Sequence, residues 1–523
     1  MNSQIKILLN SIPGLGDVYK SATLGDYYRL KTNGIAGFQS LEKDLMKDVI
    51  VREILRVFGS NAAALAKAEL DRSPVLETGT HLGFINDTDV GHKTGDLRSR
   101  LNQNILISAA LAKDSGAKVH LGLYGSNVSM SHPMSGGAFQ IGDFVFPANR
   151  PAAINSATLY ATDKISDEYF NDSLLLAAKL KQLRKMTPDN GFLQEKLTFL
   201  LAPLDKLSTN YKGVQVNYDS MNAGKRAAVD KALEQYNLEY LDHEYQHLKN
   251  IFASPLAENM ADQVTLAQAD SINRLLDGTG ITHYQVDCTK VSIEFFARAL
   301  ETPGSFWNEI FADPDSFKIF HTCLSGIRAG WAHDESPFMA VHRKNGIGSM
   351  RKMGVDEIEL SPQNLVRHLR DGKIAPGTCL QVLAGLSAGI MEHGGFFQSS
   401  YAAEVNIYFR IYLAMVDKTD LCDMVRKINS DMILLSLGAI AGQDRQLLKP
   451  GDIMKMPNRV NFINNIPNIP GRVAVELGAD NVVEYLDIMA PGFLNKDIEI
   501  EEYANARQVT AGKIAAVAGV FQR

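Results

Sequence analysis

The chain lacks most of the features that place a protein quickly. Of its 523 residues only four are Cys, namely Cys288, Cys323, Cys379 and Cys422, and no two form a CxxC pair. That scatter excludes a disulfide framework and fits reduced thiols in a cytosolic protein. Neither charge dominates: 53 Lys and Arg stand against 59 Asp and Glu, a formal net charge of −6. A general basic footprint for nucleic acid is thereby excluded, and short runs such as Lys181-Gln182-Leu183-Arg184-Lys185 read as solvated helix faces. Apolar runs such as 432–441 are too short for the ~20 residues of a membrane-spanning helix. Met1 to Tyr19 includes Asn10, Pro13 and Asp17 and has no clean apolar stretch, so no signal peptide is expected. A phosphate loop is missing as well. Gly224-Lys225, Gly372-Lys373 and Gly512-Lys513 are followed by Arg226, Ile374 and Ile514, where the loop needs a Ser or Thr hydroxyl to reach magnesium. Gly14-Leu15-Gly16 is a lone fragment of a dinucleotide fingerprint. There is no internal repeat and no low-complexity tract.

What remains is the composition of an ordinary folded protein, 45% apolar and 21% charged, with ample material for a large core. The length suits two to four domains, or one large domain with insertions. Hydrophobic periodicity divides the chain into five stretches. Residues 1–72 read as helical, with Leu45, Val49, Ile50, Ile54, Leu55 and Val57 recurring near 3.6. Residues 73–165 mix helix with strands at Lys118–Tyr124, Phe139–Phe146 and Ala157–Thr162. Residues 166–277 are a helical insertion, with a long pattern from Gly224 to Ile251 that continues from Asn259 to Leu276. Residues 278–405 return to the mixture, with a strand at Ile281–Val286, a helix at Lys290–Leu300 and another at Pro362–Arg370 capped by Ser361. Residues 406–523 are helical, with a Pro-, Gly- and Asn-rich tail and later helices near Val482–Met489 and Ala504–Val520. The predicted fold class is α/β, a Rossmann-like core with a large helical insertion and a mainly helical C-terminal part.

Chemistry is expected first at 76–133. A helix at Leu101–Lys113, stopped by Asp114-Ser115-Gly116, leads into the strand ending at Tyr124. The strand opens into Gly125-Ser126-Asn127-Val128-Ser129-Met130-Ser131-His132-Pro133. Ligands of open α/β sheets bind beyond the carboxyl ends of strands, which makes Tyr124, Ser126, Asn127, Ser129 and His132 candidates. Thr80, His81 and Gly83, from Leu76-Glu77-Thr78-Gly79-Thr80-His81-Leu82-Gly83, could join them. A second region, 338–401, offers Arg343, Arg351 and Arg367 for carboxylate or phosphate. It also offers Gly394 and Gly395, whose N–H groups could approach an anion, with Gln398 beside them. His393 and Tyr401 are candidates for proton exchange.

A third candidate is His243-Glu244-Tyr245-Gln246-His247. On a helix the two imidazoles share a face, so His243 and His247 could ligate Zn²⁺ while Glu244 acts on a bound water. Glu234, Glu239, Asp242 and Lys249 around it give the competing reading, an exposed helix surface.

The segment Thr78-Gly79-Thr80-His81-Leu82-Gly83-Phe84 with its following helix and strand resembles the opening of the cysteine-adding enzymes of bacillithiol biosynthesis. Leu360-Ser361-Pro362-Gln363-Asn364-Leu365-Val366-Arg367-His368-Leu369, then Pro376, then Gln398 and Tyr401, is similar to that family's L-S-P-N-x-x-L-R-P-L block. His81 is followed by Leu82-Gly83 rather than Gln-Pro, and His368 stands where the block has Pro. The resemblance implies a Rossmann-like core and the joining of an amino acid to an acceptor. Together the residues and the resemblance predict a cytosolic, ligase-like enzyme that joins an amino acid or small carboxylate to a small amine or carrier. In it His81, His132, His393 and Tyr401 move protons and Arg367 binds the carboxylate. ATP and zinc are the candidate cofactors, and a small molecule and a second copy of the chain the candidate partners. The alternatives are a zinc hydrolase and a small-molecule-binding protein without catalysis.

Overall fold

The computed structural model describes residues 15–33, 38–73, 75–77, 105–127, 139–141, 144–146, 158–165, 172–205, 210–313, 337–353, 361–393, 398–427 and 456–476, with a few isolated positions between them. The described residues are an α/β mixture, mostly helical, with three small sheets. Among them no helix is long and apolar enough to cross a membrane.

Among the described residues, the first strand is preceded by α1 (Leu15–Lys20), α2 (Leu24–Asn33), α3 (Leu41–Phe58) and α4 (Ser60–Arg72). The predicted period in α3 buries Val49, Ile50, Ile54 and Val57, and Ser40 caps the helix by accepting from the Lys43 N–H. Strand β1 (Val75–Glu77) follows. Helix α5 (105–114) then ends at Gly116, whose φ of +91° is open to glycine and strained for other residues. It delivers the chain to β2 (Val119–Tyr124). Strands β3 (Phe139–Ile141) and β4 (Phe144–Phe146) form a hairpin.

The helical insertion contains α6 (Asp172–Met186), α7 (Gly191–Asp205), α8 (Tyr211–Asp219), α9 (Ala223–Gln235) and α10 (Glu239–Phe252). The long pattern expected from Gly224 to Ile251 is two helices, because Asn237 adopts a left-handed φ of +43° between them. These helices share an apolar core of their own, which includes Leu183, Leu197, Val214, Leu241 and Phe252 and reaches Tyr124 of the sheet. Helix α11 (Met260–Leu276) belongs to both parts. Its Val264 and Ala267 pack into the insertion, while Ile272 and Leu275 pack into the main core.

Strand β5 (Thr282–Asp287) runs directly into α12 (Cys288–Glu301), followed by α13 (Phe306–Ala312). Strands β6 (Phe338–Lys344), β7 (Ile347–Lys352) and β8 (Ile374–Pro376) make an antiparallel sheet. Helix α14 (Pro362–Arg370) lies between β7 and β8 and carries the predicted Ser361 cap, which accepts from the Asn364 N–H. Helix α15 (Thr378–Ser387), β9 (Met391–His393), α16 (Gln398–Met415), α17 (Thr419–Lys427) and α18 (Arg459–Asn465) come next, followed by a 3₁₀ turn (Ile466–Asn468) and a helical turn over 471–476. The two helices expected beyond Val482 lie outside the described residues.

The sheet that positions the site is parallel, with spatial order β5-β2-β1-β9. Its β2–β5 pair has two unlike faces, because successive side chains of a strand point to opposite sides. Val119, Leu121, Leu123 and Val286 join the main apolar core. The other face carries His120 and Tyr124 from β2 beside His283 and Asp287 from β5, with Gln285 between. Helix α11 packs against β5, so this polar row is sealed from solvent: His283, Gln285 and Asp287 are all 1% exposed or less.

Candidate functional site

Strands β2 and β5 end side by side, Tyr124 opposite Asp287. Two residues further on, the Ser126 hydroxyl donates to Asp287 Oδ1 at 2.5 Å and lies 2.9 Å from the Thr289 hydroxyl. The Thr289 N–H donates to the same Oδ1 at 2.8 Å, so Asp287 also serves as the N-cap of α12. Oδ1 is thus doubly bonded. Oδ2 is buried and has no hydrogen-bond partner among the described residues. Burial pushes the Asp287 carboxyl up to about 7, against the opposing pull of the Ser126 hydroxyl and of Lys290. A cap alone would leave the second oxygen in water, where it is cheap to solvate. A buried bare oxygen is costly in either protonation state, by about 1–3 kcal/mol.

Segment 158–165 closes one side of this corner. The expected strand at Ala157–Thr162 is a turn, because its N–H groups are taken by different elements. Thr158 donates to Gly348 O at 2.9 Å, Tyr160 to Ser126 O at 3.2 Å, and Asp163 to Gly346 O at 2.8 Å. Backbone meets backbone so closely that a Cβ at Gly348 would run into Ala161. Tyr160 is thereby held next to the Ser126 loop and is 7% exposed. Burial and the Asp287 charge raise its phenol to about 12, and the cation of Arg343 works against them. The Arg343 guanidinium lies 6.0 Å from the centre of the Tyr160 ring. On the far side of the loop, Asn127 Nδ2 donates to the Thr378 hydroxyl at 3.0 Å, which ties β2 to the start of α15.

Below Asp287 lies an ion-pair hub. Asp262, 1% exposed, takes Arg56 through both carboxylate oxygens at 2.8 and 3.0 Å. Lys290 reaches the same carboxylate at 2.9 Å and Glu258 at 2.9 Å. Burial acts to raise the Asp262 carboxyl, but its bonds to Arg56 and the Lys290 charge outweigh this and hold it low. The hub fastens α3, α11 and α12 together and holds Asp262 ionised near Asp287, where its charge discourages a second ionisation.

Behind the site a hydrogen-bonded chain crosses the sheet. Ser108 Oγ is 2.8 Å from His120 Nε2, and His120 Nδ1 is 2.9 Å from His283 Nδ1. His283 Nε2 faces Gln285 Oε1 at 3.3 Å, and Gln285 Nε2 donates to Gln268 Oε1 at 2.6 Å. Burial lowers His283 to about 4, so it is neutral at pH 7. Gln285 turns its amide oxygen to His283, and an amide oxygen only accepts, so His283 Nε2 carries the proton. His283 Nδ1 is then an acceptor, His120 Nδ1 donates to it, and Ser108 donates to His120 Nε2.

Of the predicted site residues, Tyr124, Ser126 and Asn127 stand at this corner. His393 ends β9, in register with Glu77 of β1, so it shares the carboxyl edge two strands from β2. Gln398 and Tyr401 fall in the first turns of α16, and nothing is described of their side chains or that of His393. Thr80, His81, Gly83, Ser129, His132, Gly394 and Gly395 lie outside the described residues. Arg367, expected to hold a carboxylate, is exposed on α14 and donates to Asn364 one turn back at 2.9 Å.

The His243-Glu244-x-x-His247 motif is on α10, and its helical spacing stacks the two imidazoles 6.4 Å apart. Its chemistry is otherwise engaged. Arg274 clamps the Glu244 carboxylate with two bonds of 2.6 Å, and His247 Nε2 meets Asp270 at 2.8 Å. Among the described residues no group of three His, Cys, Asp or Glu is gathered for a metal. A clamped carboxylate cannot serve as the base of a zinc-bound water, so these residues do not fit the hydrolase centre. They form an ion-pair lattice joining α10 to α11.

Asp287, Thr289, Tyr160 and the two buried histidines are what sequence reasoning missed. One signal was available. His283, Gln285 and Asp287 alternate along and just past the strand expected at Ile281–Val286, and polar residues at period two share one face of a strand.

Comparison of the chain with family models, with curated proteins and with solved structures finds no match.

Proposed function

We propose that this chain is an enzyme that binds a small molecule at the carboxyl edge of a Rossmann-like sheet and uses Asp287 to move a proton. Counted along the chain, the parallel strands stand in the order 3-2-1-4. That is the order of the first four strands of the doubly wound dinucleotide-binding fold, which supports the Rossmann-like reading. The observation that carries the functional reading is the Asp287 carboxylate, buried at a strand end, with one oxygen fixed by Ser126 and Thr289 and the other bare. An acid held near pH 7 is half-ionised there, the condition in which a carboxylate serves best as acid and base.

The reaction we infer is the joining of an amino acid or other small carboxylate to a small amine or carrier. The amine nitrogen attacks the acyl carbon of an activated carboxylate, its proton passes to Asp287 Oδ2, and the leaving group departs with its bonding pair. ATP is the candidate source of activation. The test incubates the purified chain with paired panels of amino acids, small carboxylates and small amines, with and without ATP, and reads condensation products by mass spectrometry. Product from the wild type that disappears in a folded Asp287→Asn variant is the expected result. Failure of every pairing removes the joining reaction. A carboxyl infrared band that titrates at the ordinary Asp value removes Asp287 as the proton carrier.

A further inference from the structure

We propose that Asn345 is a site of spontaneous covalent modification. Its carboxamide is lost by ring closure onto Gly346, and the aspartate or isoaspartate left behind loosens the β6–β7 hairpin from segment 158–163. This inference stands independently of the role of Asp287.

Three Asn-Gly pairs occur in the chain, at 33–34, 190–191 and 345–346. Glycine has no Cβ to shield its nitrogen, so that nitrogen can approach the carboxamide carbon of the preceding Asn. Gly34 lies outside the described residues, and the other two pairs differ in structure. Asn190 is held in place. Its carboxamide oxygen accepts from the Leu193 N–H at 3.1 Å, and its main-chain oxygen from the Gln194 N–H at 2.9 Å, where α7 begins. Gln194 Nε2 also donates to Thr187 O at 2.7 Å, which closes the turn leading into Asn190. Asn345 is exposed, and its carboxamide has no hydrogen-bond partner among the described residues. With φ of +53° and +76°, Asn345 and Gly346 are the two central residues of a type I′ turn closed by the Lys344–Ile347 pair. Opening this tip costs that pair and the Asp163 N–H bond to Gly346 O, and the rest of the ladder stays paired. The same rotation at Asn190 undoes the start of a helix.

The step balances with water alone. The Gly346 nitrogen forms a bond to Asn345 Cγ and gives its proton to solvent. Ammonia leaves with the electron pair of the broken Cγ–Nδ2 bond, taking a proton from water. Water then opens the five-membered imide at either carbonyl, giving aspartate or the β-linked isoaspartate. Either product places a negative charge one residue from the contact between Gly346 and Asp163. That contact is close: a Cβ at Gly346 would lie 2.9 Å from Asp163 Oδ2. The Asp163 N–H bond to Gly346 O, at 2.8 Å, is one of those that dock the hairpin. Isoaspartate also adds a main-chain atom, which a two-residue I′ turn does not accommodate.

The experiment ages the purified chain in warm, mildly alkaline buffer, folded and in urea, and follows both pairs by peptide mapping with mass spectrometry. In urea Asn190 and Asn345 should convert at similar rates. In the folded chain Asn345 should convert at least about fivefold faster than Asn190, the factor that one helix cap corresponds to. In converted chains the peptide spanning 158–165 should take up deuterium faster, because the Asp163 N–H loses its acceptor. Asn345→Gly keeps a residue that tolerates positive φ and removes the carboxamide, so its exchange should not change with age. The proposal is overturned if Asn345 keeps its carboxamide in the folded chain, if Asn190 converts as fast there, or if converted and fresh chains exchange alike at 158–165.

Discussion

Two polar clusters of this molecule stand in opposite relation to their sequences. The His243–Glu244–His247 cluster carries a motif that can be read off the chain, yet Glu244 and His247 already have partners on α11. The Asp287 cluster carries no motif, yet among the described residues it leaves one buried carboxylate oxygen without a hydrogen-bond partner. Charges that satisfy one another hold helices together. A charge left unsatisfied in a folded protein raises its free energy, and such a group calls for an explanation. Spacing along a helix decides only which residues could meet, and the neighbouring element decides whether they are free to act.

The largest expected difference between the clusters is in turnover. Once a condensation substrate is in hand, Asp287→Asn should lower kcat/KM at pH 7 by roughly 10²–10⁴, the usual weight of a general base. His247→Ala should leave it within about twofold. Equal losses in the two variants would erase the distinction. Next in size is stability. Asp262→Ala strands Arg56 and Lys290 partly buried without their common anion, and should destabilise the fold by about 3–5 kcal/mol in urea titrations. A loss below about 1 kcal/mol would show that the hub does not brace the site.

Much of the fold was legible because it is local. The α3 stripe, the Gly116 stop, the Ser361 cap, β2 and the β5–α12 junction all follow from period and punctuation within a dozen or so residues. Ser126 and Asn127 were legible for the same reason, as polar residues just past a strand. Asp287 was not, because Ser126, which gives it meaning, is 161 residues away across a parallel pairing. Arg367 is exposed on α14, and its described bond to Asn364 comes from one nitrogen of the guanidinium. The strand expected at 157–162 failed because two elements take its N–H groups, β7 that of Thr158 and the Ser126 loop that of Tyr160.

A third test uses pH, where the two ends of the buried polar row oppose each other. His283 titrates near 4 in the fold against an ordinary 6.5, so acid is taken up more readily by the unfolded chain, and stability is lost as pH falls from about 6.5 to about 4. Asp287 titrates near 7 against an ordinary 3.8, so the unfolded chain ionises first, and stability is lost as pH rises from about 4 to about 7. Across the shared window the slopes have opposite signs and offset one another. Asp287→Asn removes one of them. The variant should then lose roughly 3 kcal/mol between pH 6.5 and pH 4 from His283 alone, at about 1.4 kcal/mol per unit. Urea midpoints with the same pH slope in variant and wild type would show that the two groups do not balance.

The smallest effect belongs to the motif. Arg274 and Glu244 have side chains 40% and 24% exposed, so water screens the pair even though its two bonds are well aligned. Burial acts to raise the Glu244 carboxyl, and the Arg274 bonds more than offset it, leaving the group below the ordinary range. Glu244→Gln keeps the shape and removes the charge, and should destabilise by about 1 kcal/mol or less, an effect that shrinks in high salt. His243→Ala should be close to neutral, since that side chain is 78% exposed. A zinc centre would behave otherwise: added zinc would raise the melting temperature of the wild type, and either substitution would abolish the rise. If zinc has no such effect and Glu244→Gln costs only what a screened pair can supply, α10 keeps its H-E-x-x-H for packing, and the chemistry belongs to the strand ends.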